Sequence, residues 1–278
     1  MVEQVTEFDL VIEQGRSKKN YWKDLWRFRE LFLFMSWRDI LVRYKQTAIG
    51  LSWSIIRPLL TMIIFTVIFG RVAKLPSEGV PYPILVFAGM LPWLFFSTSF
   101  ADASNSLLLN SNMLTKIYFP RLIIPVSTVI VNLVDFVISF FLLIGLMIWY
   151  HFIPSKTMVF LPVFLALTFL IAMGSGLFVA ALNVKYRDFK YIVPFVVQIG
   201  MYVSPVGFSS SIVPQKYRLL YSLNPMAGAI DGLRWCILGN KSNIYVPGLL
   251  VSLGVTFLLV FIGIWYFRKM EKTFADVV

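Results

Sequence analysis

Residues 157–184 read TMVFLPVFLALTFLIAMGSGLFVAALNV, a run between Lys156 and Lys185 that holds no Asp, Glu, Lys or Arg. A helix crosses roughly 30 Å of hydrocarbon with about 20 apolar residues. Residues 242–267, SNIYVPGLLVSLGVTFLLVFIGIWYF, form a second such run. Core helices of a soluble domain would be shorter and carry a polar face. The composition agrees: 58% of the 278 residues are hydrophobic and 14% charged, with mean hydropathy +0.77. A soluble domain carries about 25% charged residues. The sequence therefore predicts an all-α, multi-span integral membrane protein.

Six spans are expected near residues 51–70, 83–101, 121–150, 158–182, 191–208 and 246–267. The third is long for a simple crossing, so it tilts or runs beyond the bilayer. This divides the chain into an N-terminal region (1–50), a transmembrane domain (51–267) and a tail (268–278). The net charge of +11 reflects Lys and Arg flanking apolar runs, which is how orientation is encoded, and not a stripe for nucleic acid. Nine of these cations precede the first span, from Arg16 to Lys45, and others follow spans two, four and six. Both termini are thus expected on the cytoplasmic side. The start, MVEQVTEFDLVIEQG, has neither the basic nor the apolar part of a cleaved signal.

Residues 20–47, NYWKDLWRFRELFLFMSWRDILVRYKQT, interleave aromatic and basic side chains. Such a helix lies in the membrane interface, although Leu31–Trp37 also fit a short buried hairpin. The stretch 43–58, RYKQTAIGLSWSIIRP, then runs from cations straight into apolar sequence and keeps Arg57 inside it. In DASNSLLLNSNMLTKIYFP (102–120), Asp102 suits a helix N-cap. Leu109, Met113 and Ile117, with Leu114 beside them, then form one apolar face. A short amphipathic helix suited to docking a partner is expected, the other reading being a continuation of a span. Residues 209–245 are too apolar for a solvated loop and too broken for a span, which suggests a re-entrant segment.

Catalytic signatures are missing. GNKS at 239–242 lacks the spacing of a phosphate loop, and one cysteine (Cys236) and one histidine (His151) exclude a disulfide, a metal cluster and imidazole chemistry as main themes. Ionisable residues inside spans are costly and default to function. Arg57 and Asp135 qualify; Asp135 shares a helical face with Asn132. Polar pairing between helices and the lining of a hydrated route are both open. Gly174, Ser175 and Gly176 predict close helix packing. Trp93, Phe96 and Phe100, with Phe136 and Phe140, are the aromatic positions best suited to meet sugar rings.

Five segments in order carry a resemblance: RYKQTAIGLSWSIIRP, GMLPWLFFSTSF, ALNVKYRDFKYIVPFVVQ, SLNPMAGAIDGLRW and FRKMEKTFADVV. They resemble the membrane subunit of polysaccharide ABC exporters, the ABC-2 type permeases that move O-antigen, capsule or teichoic-acid chains. The resemblance implies six spans, a homodimer in the bacterial inner membrane, and two copies of a separate cytoplasmic ATPase that binds ATP and Mg. It implies no cofactor and no catalysis in this chain, and an undecaprenyl-linked glycan as cargo. On this reading Leu109, Met113, Leu114 and Ile117, with Lys185, Arg187 and Asp188, meet the ATPase. Arg38, Arg43 and Arg57 line a headgroup entrance, since guanidinium binds phosphate oxygens bidentately. Residues 224–235 resemble an outer hairpin, and Trp93, Phe96, Phe100, Asn132, Asp135, Phe136 and Phe140 are positions for a channel wall. An ABC-2 exporter of a drug or simple lipid is the alternative.

Overall fold

The computed structural model describes residues 17–45, 50–116, 119–186, 188–242, 244–271 and 274. No strand occurs among the described residues. Helices α1 (Ser17–Arg27) and α2 (Arg29–Lys45) meet at Phe28, whose N–H still bonds to Asp24 at 3.0 Å. The Leu31–Trp37 stretch is helical throughout, so no hairpin forms there. Tyr21 and Met35 face the bundle, while Trp22, Trp26, Leu33, Phe34 and Trp37 are exposed. An apolar outer face beside basic residues suits a membrane interface.

Next come α3 (Gly50–Phe65), widened into a π-helical turn at Thr66–Val72, then α4 (Tyr82–Leu109), α5 (Ser111–Lys116) and α6 (Ile123–Trp149). A 3-10 turn at Lys156–Phe160 leads into α7 (Leu161–Lys185) and then α8 (Phe189–Val203). The short helices α9 (Gln215–Tyr221) and α10 (Pro225–Leu238) precede α11 (Val246–Met270). Among the described residues, five segments are long and apolar enough to cross a membrane: Ser52–Val72, Tyr82–Leu109, Ile123–Trp149, Lys156–Lys185 and Val246–Met270.

The expected fifth span, 191–208, is different. Helix α8 has 15 residues, about 22 Å at 1.5 Å per residue, and stops at Ser204. That residue is extended (φ −84°, ψ 152°), because the following Pro205 disfavours helical backbone before it. The second span departs the other way. Asp102 does not cap a helix: α4 runs unbroken for 28 residues and ends at Asn110, whose side chain donates to the Ser106 carbonyl at 2.9 Å. The separate amphipathic helix expected from Asp102 onward is therefore only the six residues of α5.

Helix α4 is the centre of the bundle and packs against α6, α7 and α10, while α11 packs on the far side of α7. Small residues let the backbones meet. A Cβ on Gly174 would sit 2.6 Å from the Val260 amide nitrogen, and one on Gly263 would strike the Gly174 carbonyl. One on Gly176 would lie 2.8 Å from the Ala103 side chain. These contacts are the small-residue packing of membrane helices. By contrast, α3 and α8 are loosely held and largely exposed.

Helix α1 and the end of α11 lie together: the Tyr21 hydroxyl donates to Glu271 at 3.3 Å. This is termed the terminal end below. The opposite end is closed by α9 and α10. Asn224 caps α10 by accepting from the Met226 N–H at 3.1 Å, with Pro225 at the first helical position. Gly239 ends α10 with φ 63°, and its missing side chain leaves room for Ser155.

Candidate functional site

Towards the terminal end, four helices contribute to one polar hub. Arg43 Nη1 donates to Asn132 Oδ1 at 2.6 Å and to Asp135 Oδ2 at 2.8 Å. Its Nη2 donates to Asp102 Oδ2 at 2.9 Å. Asn132 Nδ2 completes a triangle by donating to the same Asp102 oxygen at 3.0 Å. The other Asp135 oxygen accepts from the Tyr44 hydroxyl at 2.6 Å and from Ser54 at 2.9 Å. The hub ties α2 and α3 to α4 and α6.

The electrostatics follow from the count of one guanidinium against two carboxylates. Burial opposes the Arg43 charge, but Asp102, with its hydrogen bond, and Asp135 outweigh it and raise the guanidinium pKa. Burial likewise pushes the Tyr44 phenol up, reinforced by its bond to Asp135. The Arg43 and Asp102 side chains are 36% and 39% accessible, and Asp135 27%. The hub is therefore within reach of a ligand at the protomer surface, and it is not a sealed ion pair. Asn132, in contrast, is fully buried.

The three entrance arginines do not converge. Arg43 is held by the hub, Arg38 pairs with its neighbour Asp39 at 2.8 Å, and Arg57 is exposed on α3. Among the docking positions, Leu109 is 79% exposed whereas Leu114 is 4% exposed and packs inward. Met113 is partly buried against the core. The single apolar docking face expected across these residues is thus split, because the break at Asn110 turns α5 out of register with α4. Lys185 and Asp188 are exposed at the α7–α8 turn, with the Lys185 ammonium 4.9 Å from the Tyr186 ring. Ile117 and Arg187 lie outside the described residues.

The aromatic positions form two parallel pairs. Phe96 and Phe100 are stacked at 5.7 Å on α4, and Phe136 and Phe140 at 6.3 Å on α6. Trp93 is buried, and a Cβ on Gly200 of α8 would sit 2.7 Å from its ring. Phe100 and Phe136 are also buried in the protomer, the latter 5.8 Å from Phe95. Only Phe96 and Phe140 of this set keep partial access.

At the opposite end lies a group that sequence reasoning missed. The Arg234 side chain is fully buried and donates to three main-chain carbonyls: Leu85 at 3.2 Å, Phe208 at 2.6 Å and Val206 at 2.7 Å. Gly89 leaves the space that its guanidinium occupies. Nearby, Glu78 accepts from Ser209 at 2.6 Å and Ser211 at 3.0 Å. The available signal was an arginine three residues after Asp231 in a segment otherwise apolar.

The sequence matches a profile of ABC-2 type transporters over residues 30–238. The chain belongs to this family. Its relatives include the O-antigen export system permease protein RfbA of Klebsiella pneumoniae, 26% identical over 89% of this chain and 95% of that protein. RfbA of Myxococcus xanthus is 26% identical over 91% and 97%. The polysialic acid transport protein KpsM of Escherichia coli is 22% identical over 84% and 91%. The ABC-2 chain is thus similar along most of its length to proteins named for O-antigen export and polysialic acid transport.

Proposed function

We propose that this ABC-2 chain is the transmembrane permease subunit of an ATP-driven exporter of lipid-linked polysaccharide, of O-antigen, capsule or teichoic-acid type. The observation that carries the reading is similarity over most of the chain to proteins named for O-antigen export and polysialic acid transport. The power stroke belongs to a separate cytoplasmic ATPase that binds ATP and Mg.

The working unit is a homodimer in the bacterial inner membrane, with both termini cytoplasmic. The exposed apolar faces of α3 and α8 support pairing, since lipid contact alone needs no polar Gln198 on α8. The chain crosses six times. Helix α8 completes the fifth passage with residues 204–208, and α9 and α10 form the re-entrant outer segment. Such irregular backbone is tolerated where protein covers it. Leu109 and Met113, with Lys185, Arg187 and Asp188, meet the ATPase.

The cargo is an undecaprenyl-linked glycan whose pyrophosphate first meets Arg57 and Arg38. It then competes with Asp102 and Asp135 for Arg43, whose fork suits phosphate oxygens as well as carboxylates. Glycan passes between the two copies along Phe96 and Phe140.

The test is complementation of a cell lacking its own glycan-export permease, with surface glycan as readout. Wild type with its ATPase restores export; Arg57→Gln lowers export while leaving membrane insertion and ATPase pull-down intact. A permease that moves a drug or simple lipid and leaves glycan inside the cell overturns the reading.

A further inference from the structure

Three segments far apart in the chain meet at Glu271: α1, the α5–α6 junction and the end of α11. Glu271 Oε1 accepts from the Arg121 main-chain N–H at 3.0 Å and from the Tyr21 hydroxyl at 3.3 Å. In return, the Arg121 guanidinium donates to the Glu271 main-chain carbonyl. Each residue therefore binds the backbone of the other with its side chain. Arg121 also lies 5.9 Å from the Phe274 ring, which meets Phe267 edge-on at 5.3 Å. Arg268 lies 4.5 Å over Tyr21. Tyr21, Phe119, Leu122, Phe267 and Phe274 are buried around these bonds.

The location matters as much as the bonding. Arg121 lies just ahead of α6, where N–H groups lack helical partners and where negative charge is favoured. The carboxylate supplies both acceptor and charge. Only residues 117–120 separate this point from the end of α5. Helix α11, at the other side of the staple, touches α7 backbone to backbone through Gly263 and Gly174. Helix α7 ends at Lys185, beside the second expected ATPase contact. Helix α11 is thus joined to both regions on which the ATPase would act.

We infer that Glu271 is a positioning residue for coupling, which with Arg121 staples the α5–α6 junction to α11 so that both move as one body. This rests on the reading that the α5 region and the α7–α8 turn meet the ATPase. A displacement of α5 is then delivered to α6 and α11 together, a rigid-body switch and not a local bend. Without the staple, the junction yields by itself, and nucleotide is hydrolysed with less glycan moved.

The experiment uses the whole complex with its ATPase and measures three quantities: ATPase retained on the purified permease, ATP hydrolysed, and glycan exported per ATP. Glu271→Ala retains the ATPase and its hydrolysis, while glycan per ATP falls about tenfold, the factor matching one hydrogen bond to a charged group. Glu271→Gln keeps an oxygen for the Arg121 N–H and restores most of the ratio. An unchanged ratio in Glu271→Ala overturns the inference, as does export that falls only in proportion to assembled complex. If Glu271→Ala fails to accumulate, Tyr21→Phe, which removes one bond, and Arg121→Ala, which removes the guanidinium but keeps the main-chain N–H, carry the same measurement, and an unchanged ratio in both overturns it. The docking reading fails separately, when Leu109→Asp leaves the ATPase fully bound.

Discussion

Arg234 Nη2 donates to the main-chain carbonyl of Val206 at 2.7 Å, so a residue of α10 fixes the backbone just where α8 has ended. The same guanidinium bonds to Leu85 of α4 and to Phe208. The Val206 and Phe208 carbonyls lie beyond the end of α8, outside any helix ladder, and burial without a partner costs about 1–3 kcal/mol per group. Arg234→Lys retains the charge but not the three-way fork. It is expected to lower stability by about 2–4 kcal/mol, read as a lower thermal midpoint in detergent. Wild-type stability in Arg234→Lys means that the three bonds of the Arg234 guanidinium do not hold the fold.

The Arg43 hub calls for a double-mutant cycle. Asp102 and Asp135 both bind the Arg43 guanidinium, and Asn132 also bonds to Arg43 and Asp102. Arg43→Gln leaves two carboxylates facing each other without their cation. It is therefore expected to destabilise more than Arg43→Gln combined with Asp102→Asn. Coupling energies of contacting groups run at about 0.5–3 kcal/mol, and denaturant or thermal unfolding of the four proteins measures this one. Strictly additive effects contradict the ring of bonds.

What could be read in the sequence was local. The apolar runs at 157–184 and 242–267 need only length and composition, and the close approach at Gly174 and Gly176 needs only residue size. The early end of α8 was written in Ser204–Pro205, but apolar Val206 and Phe208 outweighed it. Asp102 was ambiguous for a physical reason: a carboxylate serves equally well as a helix cap or as an ion-pair partner. The choice was made by Arg43, 59 residues away. The Glu271–Arg121 staple spans 150 positions and leaves no periodic trace in the sequence. Arg234 looked like one more flanking cation because its partners are backbone carbonyls, which every residue has.

The α7–α11 contact gives a sharper steric prediction. A methyl at Gly263 would strike the Gly174 carbonyl, and one at Gly174 would lie 2.6 Å from a backbone nitrogen. Backbone on both sides cannot yield as a side-chain end does. Gly263→Ala is expected to cost about 1–3 kcal/mol through overpacking, whereas Gly254→Ala on the same helix, with open space around it, costs little. Comparable thermal midpoints for the two variants would falsify direct backbone contact.

Glu271 also predicts a pH dependence of stability. Burial raises its pKa, and the opposing effects of the Arg121 N–H, the Tyr21 hydroxyl and the charges of Arg121 and Arg268 do not fully offset it. A carboxyl with a raised native pKa binds more protons folded than unfolded. Its contribution to stability is then complete below the unfolded value and disappears as pH climbs through the native one. Glu271→Gln keeps the acceptor oxygen but has nothing to titrate. Wild type is therefore expected to lose stability relative to Glu271→Gln as pH rises across that interval, and to run parallel to it at either side. Thermal unfolding of both proteins over a pH series measures the difference. A difference that stays constant, or wild type gaining on Glu271→Gln as pH rises, means that burial does not outweigh the contacts with Arg121 and Tyr21 at this carboxyl.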